Sequence, residues 1–122
     1  MAGGKTRTVT LKCIDKKWSF NPDELRAALK RPEVKVFILN SPHNPTGKVF
    51  TIEEMQIISD ILDECPHVIT LFDAVYETLT FDDHKHHNFA AIGHNWDRTI
   101  SVYSGGKFFS ATGWKIGWAI GP

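Results

Sequence analysis

The chain has 122 residues, of which 42% are hydrophobic and 11% aromatic, enough to fill one core of ordinary domain size but not two. Fourteen basic residues cancel fourteen acidic ones, so net charge draws the chain toward neither nucleic acid nor an anionic membrane and leaves a small neutral or zwitterionic partner as the expectation. Apolar runs such as residues 36–39 are far too short to span a bilayer. Met1, Ala2, Gly3, Gly4 and Lys5 suggest neither an export signal nor myristoylation.

Residues 9–14 alternate weakly and read as a first strand. Asn21, Pro22 and Glu24 then announce a helix through Leu25, Ala28 and Leu29: asparagine caps, proline suits the first turn, and glutamate is placed to reach back. Pro32 closes that helix. Residues 34–39 form an apolar run of strand length, the pattern of a strand covered on both faces. Residues 40–47 read as a turn, and Thr51 with Glu54 as a second capping box. The helix it opens carries Ile52, Met55, Ile58, Ile61 and Leu62 at helical spacing and stops at Pro66. Residues 68–72 are a buried strand reaching Asp73, residues 99–103 another reaching Ser104, and residues 115–120 a last one. This alternation implies an α/β fold, with a mostly parallel sheet and covering helices.

The polar residues that stand out fall at the carboxyl ends of these strands: Asn44, then Asp73 and Tyr76, then Ser104 and Lys107. Open α/β sheets bind ligands along that edge. Gly105 and Gly106 beside Lys107 would let backbone approach closely, as an amine that meets a cofactor carbonyl requires. His84, His86 and His87 lie among Asp82, Asp83 and Lys85 and read as a solvated loop, not a metal site. Cys13 and Cys65 have no C-x-x-C spacing and read as reduced structural thiols of the cytosol or mitochondrial matrix.

Taken singly, each polar residue has a plain structural reading: Asp73 as a cap, Asn44 with Pro45, Thr46 and Gly47 as a turn, Tyr76 as core. A phosphate-binding P-loop fails, since Phe108 follows Lys107 where a hydroxyl residue is needed. Together they match pyridoxal phosphate chemistry. A lysine amine forms an imine with the cofactor aldehyde and shuttles a proton, and an aspartate keeps the pyridine nitrogen protonated. Tyrosine and asparagine donate to the ring hydroxyl, while serine and a second cation, Lys115, suit the phosphate. Gly113, Gly117 and Gly121 around Trp114 and Trp118 argue for a strand with close backbone approach.

The blocks 40–49, 73–77 and 104–122, with residues 1–4 leading into a strand, occur in an order that resembles the fold type I, pyridoxal-phosphate-dependent aminotransferases of class I/II. Within these they look most similar to the kynurenine aminotransferases, also called cysteine-S-conjugate β-lyases. The resemblance implies that Lys107 carries the cofactor, Asp73 faces the pyridine nitrogen, Tyr76 and Asn44 hold the ring hydroxyl, Ser104 and Lys115 hold phosphate, and Asn44 touches the substrate carboxylate. It also implies that the strand containing Trp114 to Ile120 is the antiparallel member of the sheet, and a full-length homodimer acting on an amino acid and a 2-oxoacid. Ala74 and Phe108 depart from a usual glutamate and threonine, implying altered packing or tuning rather than lost chemistry. Family members are roughly three times as long. Residues 1–122 therefore correspond to part of the large, cofactor-binding domain. A glycine-rich phosphate loop and a stacking aromatic are expected upstream, and a small domain with a carboxylate-binding arginine downstream. The expectation is a transaminase fragment with little activity alone. A C–S β-lyase on the same fold, or a non-catalytic fragment, are the alternatives.

Overall fold

The computed structural model describes residues 3–122. In chain order its elements are β1 (Lys12–Ile14), β2 (Lys17–Ser19), α1 (Pro22–Leu29), β3 (Val36–Asn40), α2 (Ile52–Asp63), β4 (Ile69–Asp73), β5 (Thr99–Ser104), α3 (Gly105–Phe108) and β6 (Gly117–Ile120). Short 3-10 turns occupy Phe89–Ala91, Trp96–Arg98 and Thr112–Trp114.

Both long helices begin where their caps dictate. The Asn21 side chain accepts from the amides of Asp23 and Glu24 at 2.9 and 3.2 Å, but Glu24 does not return the bond. At α2 the box is complete: Thr51 Oγ1 accepts from the Glu54 amide at 3.2 Å, and Glu54 Oε2 accepts from the Thr51 amide at 3.0 Å. The expected strand over residues 9–14 is shorter, and it is half of a hairpin. Asp15 and Lys16, at φ 50° and 63°, turn the chain into β2, a strand with no Asn-Gly signature to announce it.

A four-stranded sheet runs β3-β4-β5-β6. The first three strands are parallel, with Asn40 opposite Asp73 and Asp73 opposite Val102. β6 lies antiparallel to β5, Tyr103 opposite Trp118 and Ser104 opposite Gly117. That strand begins two residues later than expected, because Lys115 adopts a left-handed conformation at φ 55°. The mostly parallel α/β sheet foreseen from the sequence is therefore present, with its one antiparallel member.

One face of the sheet is covered. Leu25 and Leu29 of α1 and Met55, Ile58, Ile61 and Leu62 of α2 form a single buried cluster with Leu39, Val68, Phe72 and Phe89. Alternate residues of the strands point the other way, where Ile38 is 65% and Ile69 50% exposed. Coverage on both faces, expected from the apolar strands, is thus met on one face by the described residues. Cys65 is fully buried and its thiol pKa is pushed up by that burial, whereas Cys13 is exposed on β1.

The histidine loop is not uniformly solvated. His86 stacks on Phe72, with ring centroids 5.8 Å apart at 18°, and both its ring nitrogens are buried without a partner. Burial, helped by the nearby charge of His87, lowers its pKa from 6.5. The unfolded chain therefore binds a proton that the folded one resists, so this contribution is full above pH 6.5 and declines as pH falls below it. Urea unfolding from about pH 7 to about pH 5 should show falling stability, and His86→Leu should flatten part of that slope. The rest comes partly from His43, which is shifted the same way by burial.

Glycine spacing in the last strand has a direct steric cause. A Cβ at Gly117 would lie 2.8 Å from the Tyr103 carbonyl oxygen, whereas one at Gly113 would meet nothing within 4 Å. Gly117→Ala should cost about 1–3 kcal/mol in urea unfolding, and Gly113→Ala should stay within about 0.5 kcal/mol. Equal effects would contradict the close β5–β6 approach as the reason for glycine.

Candidate active site

Because β3, β4 and β5 are parallel and in register, their carboxyl ends bring Asn40, Asp73 and Ser104 to one edge of the sheet. The loop after β3 is fixed by its own polar groups. The Ser41 amide donates to the Asp73 carbonyl at 3.2 Å, and buried Ser41 Oγ accepts from the Phe50 amide at 3.2 Å. His43 and Lys48 are joined by a 2.8 Å backbone bond, and Gly47 closes the turn onto the His43 carbonyl at φ 71°. Asn44 then projects from the loop, exposed, and its Nδ2 donates to the Tyr76 hydroxyl at 3.1 Å.

Asp73 is half-buried at the end of β4, and its Oδ1 accepts from the Val75 amide at 3.2 Å. Ala74 continues the ladder by donating to the Val102 carbonyl at 3.0 Å and is fully buried. A neutral methyl at this position packs in the core without burying a charge. Tyr76 follows in the next turn. Lys107 lies in α3, and its Nζ is 5.8 Å from the centre of the Tyr76 ring. One tyrosine therefore receives the Asn44 amide at its hydroxyl and the Lys107 ammonium at its face.

Asp73, Ser104 and Lys115, the other expected residues, make no side-chain hydrogen bond to Asn44, Tyr76 or Lys107 among the described residues. Ser104 is half-buried at the end of β5, and Lys115 is exposed after the turn at Thr112–Trp114. The glycines before Lys107 also act differently from expectation. A Cβ on Gly106 would lie 2.9 Å from Thr112 Cα, and one on Gly105 would lie 3.5 Å from the Ile116 carbonyl oxygen. The openness of Gly106 accommodates the chain's own following turn, while the Gly105 distance is an ordinary van der Waals contact. Phe108 is half exposed and meets Phe109 edge-on at 4.6 Å.

Sequence reasoning missed Asn40, Ser41 and Lys48. Asn40 closes an apolar run, a position that marks a strand end. Lys48 has a side chain only 7% exposed and bonds both carboxylate oxygens of Glu54, at 2.7 and 2.9 Å, and the Trp18 carbonyl at 2.7 Å. A mostly apolar cleft of about 130 Å³, lined in part by Val9, Phe37, Asn40 and His43, flanks the same loop.

The aminotransferase class I and II family pattern matches residues 1–122. The chain belongs to that family. It is 46% identical to a kynurenine–oxoglutarate transaminase of Dictyostelium discoideum, over all of this chain and 31% of that protein. Among solved structures, N-succinyldiaminopimelate aminotransferase from Mycobacterium tuberculosis superposes with a TM-score of 0.87 at 39% identity, over 92% of this chain and 29% of that one. The pyridoxal-phosphate-bound C-S lyase from Staphylococcus hominis gives 0.83 at 25% identity, over 92% and 28%. The chain thus spans under a third of the relatives it matches.

Asn44 and Tyr76 meet at the surface, so their bond adds little to folding. A double-mutant cycle of Asn44→Ala and Tyr76→Phe in urea should give a coupling of about 0.5 kcal/mol or less. A value above about 1.5 kcal/mol would assign the pair a structural task instead.

Proposed function

We propose that this chain is the cofactor-holding part of a pyridoxal-phosphate-dependent transaminase that moves an amino group from an amino acid such as L-kynurenine, glutamine or a sulfur amino acid to a 2-oxoacid. The observation that carries the reading is the convergence of Lys107 and Asn44 on Tyr76. The donor set fits the cofactor in kind: an amine, a half-buried carboxylate with one oxygen bonded to an amide, and a hydroxyl paired with an amide. Bound pyridoxal phosphate supplies an aldehyde and an electron-accepting ring.

Lys107 Nζ is the amine that engages that aldehyde and carries a proton to and from the substrate α-carbon. Asp73 holds a proton at the pyridine nitrogen. Tyr76 and Asn44 donate toward the ring hydroxyl, and Asn44 also meets the substrate carboxylate. Ser104 and Lys115 bind phosphate. The carboxylate clamp is the missing part: Arg26 pairs with Asp23 and Glu64, Arg31 with Glu33, and Arg98 with Asp63. These three are engaged in ion pairs, and the fourth arginine, Arg7, is exposed in the segment before β1; the chain alone is expected to turn over little or nothing. The exposed apolar sheet face supports association with further chain, as in a homodimer of the complete protein. A cytosolic or mitochondrial location goes with the reduced thiols.

Likeness to a C-S lyase structure supports a second reading, β-elimination of a sulfur leaving group at the same site. Product analysis separates the two. With a cysteine conjugate and no oxoacid, elimination yields pyruvate and leaves the cofactor as aldehyde, while transamination leaves it aminated.

The reading itself is tested by borohydride reduction of the chain incubated with pyridoxal phosphate. A phosphopyridoxyl group should appear on Lys107 in peptide mass spectra and vanish in Lys107→Ala. Labelling spread evenly over the other lysines would sink the assignment.

A further inference from the structure

We propose that Asn40 is the positioning residue of this site, a side-chain clamp that sets Asn44 and the Asp73 strand end relative to one another. Asn40 is the last residue of β3 and directly opposes Asp73 in the sheet. Its Nδ2 donates to the Asp73 carbonyl at 2.9 Å and to the Pro42 carbonyl at 3.1 Å. Its Oδ1 accepts from the Asn44 amide at 2.9 Å. One planar amide therefore makes three bonds, across the strand pair, within the loop, and to the backbone of the residue that reaches Tyr76. With the Ser41 amide also donating to the Asp73 carbonyl at 3.2 Å, that oxygen takes two donors, which uses both of its lone pairs.

A turn asparagine stabilising only its own loop would not need the bond to Asp73, 33 residues away. Only a neutral amide satisfies all three partners, since two carbonyl oxygens require donors and one N–H requires an acceptor. An ionised carboxylate of the same shape keeps the acceptor but turns an oxygen toward two carbonyl oxygens. A protonated one recovers one donor. The value of this role to catalysis rests on the function proposed above; the clamp itself does not.

The test is hydrogen exchange by NMR on the 122-residue chain, with protection at the Asn44 amide corrected for intrinsic rate. In Asn40→Ala that protection should drop by about tenfold, the scale of one ordinary hydrogen bond, while amides of Leu39 and Phe72 in the core strands keep theirs. In Asn40→Asp, repulsion from the Asp73 and Pro42 carbonyl oxygens should turn the ionised carboxylate away from the Asn44 amide, so protection is low near neutral pH and returns toward wild type as the new carboxyl protonates, a pH dependence that Asn40→Ala lacks. Unchanged Asn44 protection in both variants overturns the proposal. If Asn40→Ala loses core protection as well, the aspartate variant decides, and absence of recovery at low pH overturns the proposal. Pyridoxal phosphate binding to the wild-type chain is measured in parallel. No binding with the expected Asn44 response removes the cofactor reading and leaves the clamp, whereas binding with no Asn44 response removes the clamp alone.

Discussion

Everything at the carboxyl edge depends on α1 and α2 packing against one face of three parallel strands. Full burial of a side chain such as Phe72, Ile58 or Leu62 is worth about 1.5–3 kcal/mol relative to exposure, and these residues are all essentially inaccessible. No polar contact at the site matches this. The cluster holds β3 and β4 in register, and register places Asn40 beside Asp73. A slip by one residue would turn Asp73 to the core face and Phe72 to the opposite one. Site geometry is thus a by-product of apolar packing several residues away.

The hairpin, the loop and α2 are tied to one another by a single cation. Lys48 Nζ reaches Trp18 and Glu54 and lies 4.7 Å from the centre of the Phe50 ring. With its partners it is mostly removed from water, so both carboxylate bonds and the carbonyl bond are needed to offset desolvation. Glu54 meanwhile completes the α2 cap through its other contact with the Thr51 amide. The same carboxylate starts a helix and anchors the loop that carries Asn44, linking local helix chemistry to the placement of a candidate ligand-binding side chain.

Legibility followed the range of the interaction. The caps at Asn21 and Thr51 act within three residues, so helix starts could be read directly, as could the apolar strands and the parallel order that their alternation with helices requires. Asn44, Tyr76 and Lys107 were legible as a group because strand ends are ordered in sequence, and Asp73 as the end of the strand between β3 and β5. What escaped depends on long-range partners. Asn40 looks like a turn residue until Asp73 is beside it, and Lys48 looks like a surface lysine until Trp18 covers it. His86 looks solvated until Phe72 lies under its ring. Gly106 invited a functional reading because a glycine next to a lysine admits a ligand and a neighbouring backbone equally well, and the structure fills that space with Thr112.

The contacts around Lys107 separate folding from chemistry. Among the described residues it makes no ion pair; its neighbour is the face of Tyr76, which attracts an ammonium by about 0.5–1 kcal/mol at an exposed site. The aromatic face orients the side chain without a hydrogen-bonded counter-charge. Among the described residues Asp73 makes no ion pair with Lys107; its Oδ1 accepts from the Val75 amide at the strand end. Tyr76 thus lies between Asn44 of the loop after β3 and Lys107 of α3, while Asp73 closes β4 at the same sheet edge.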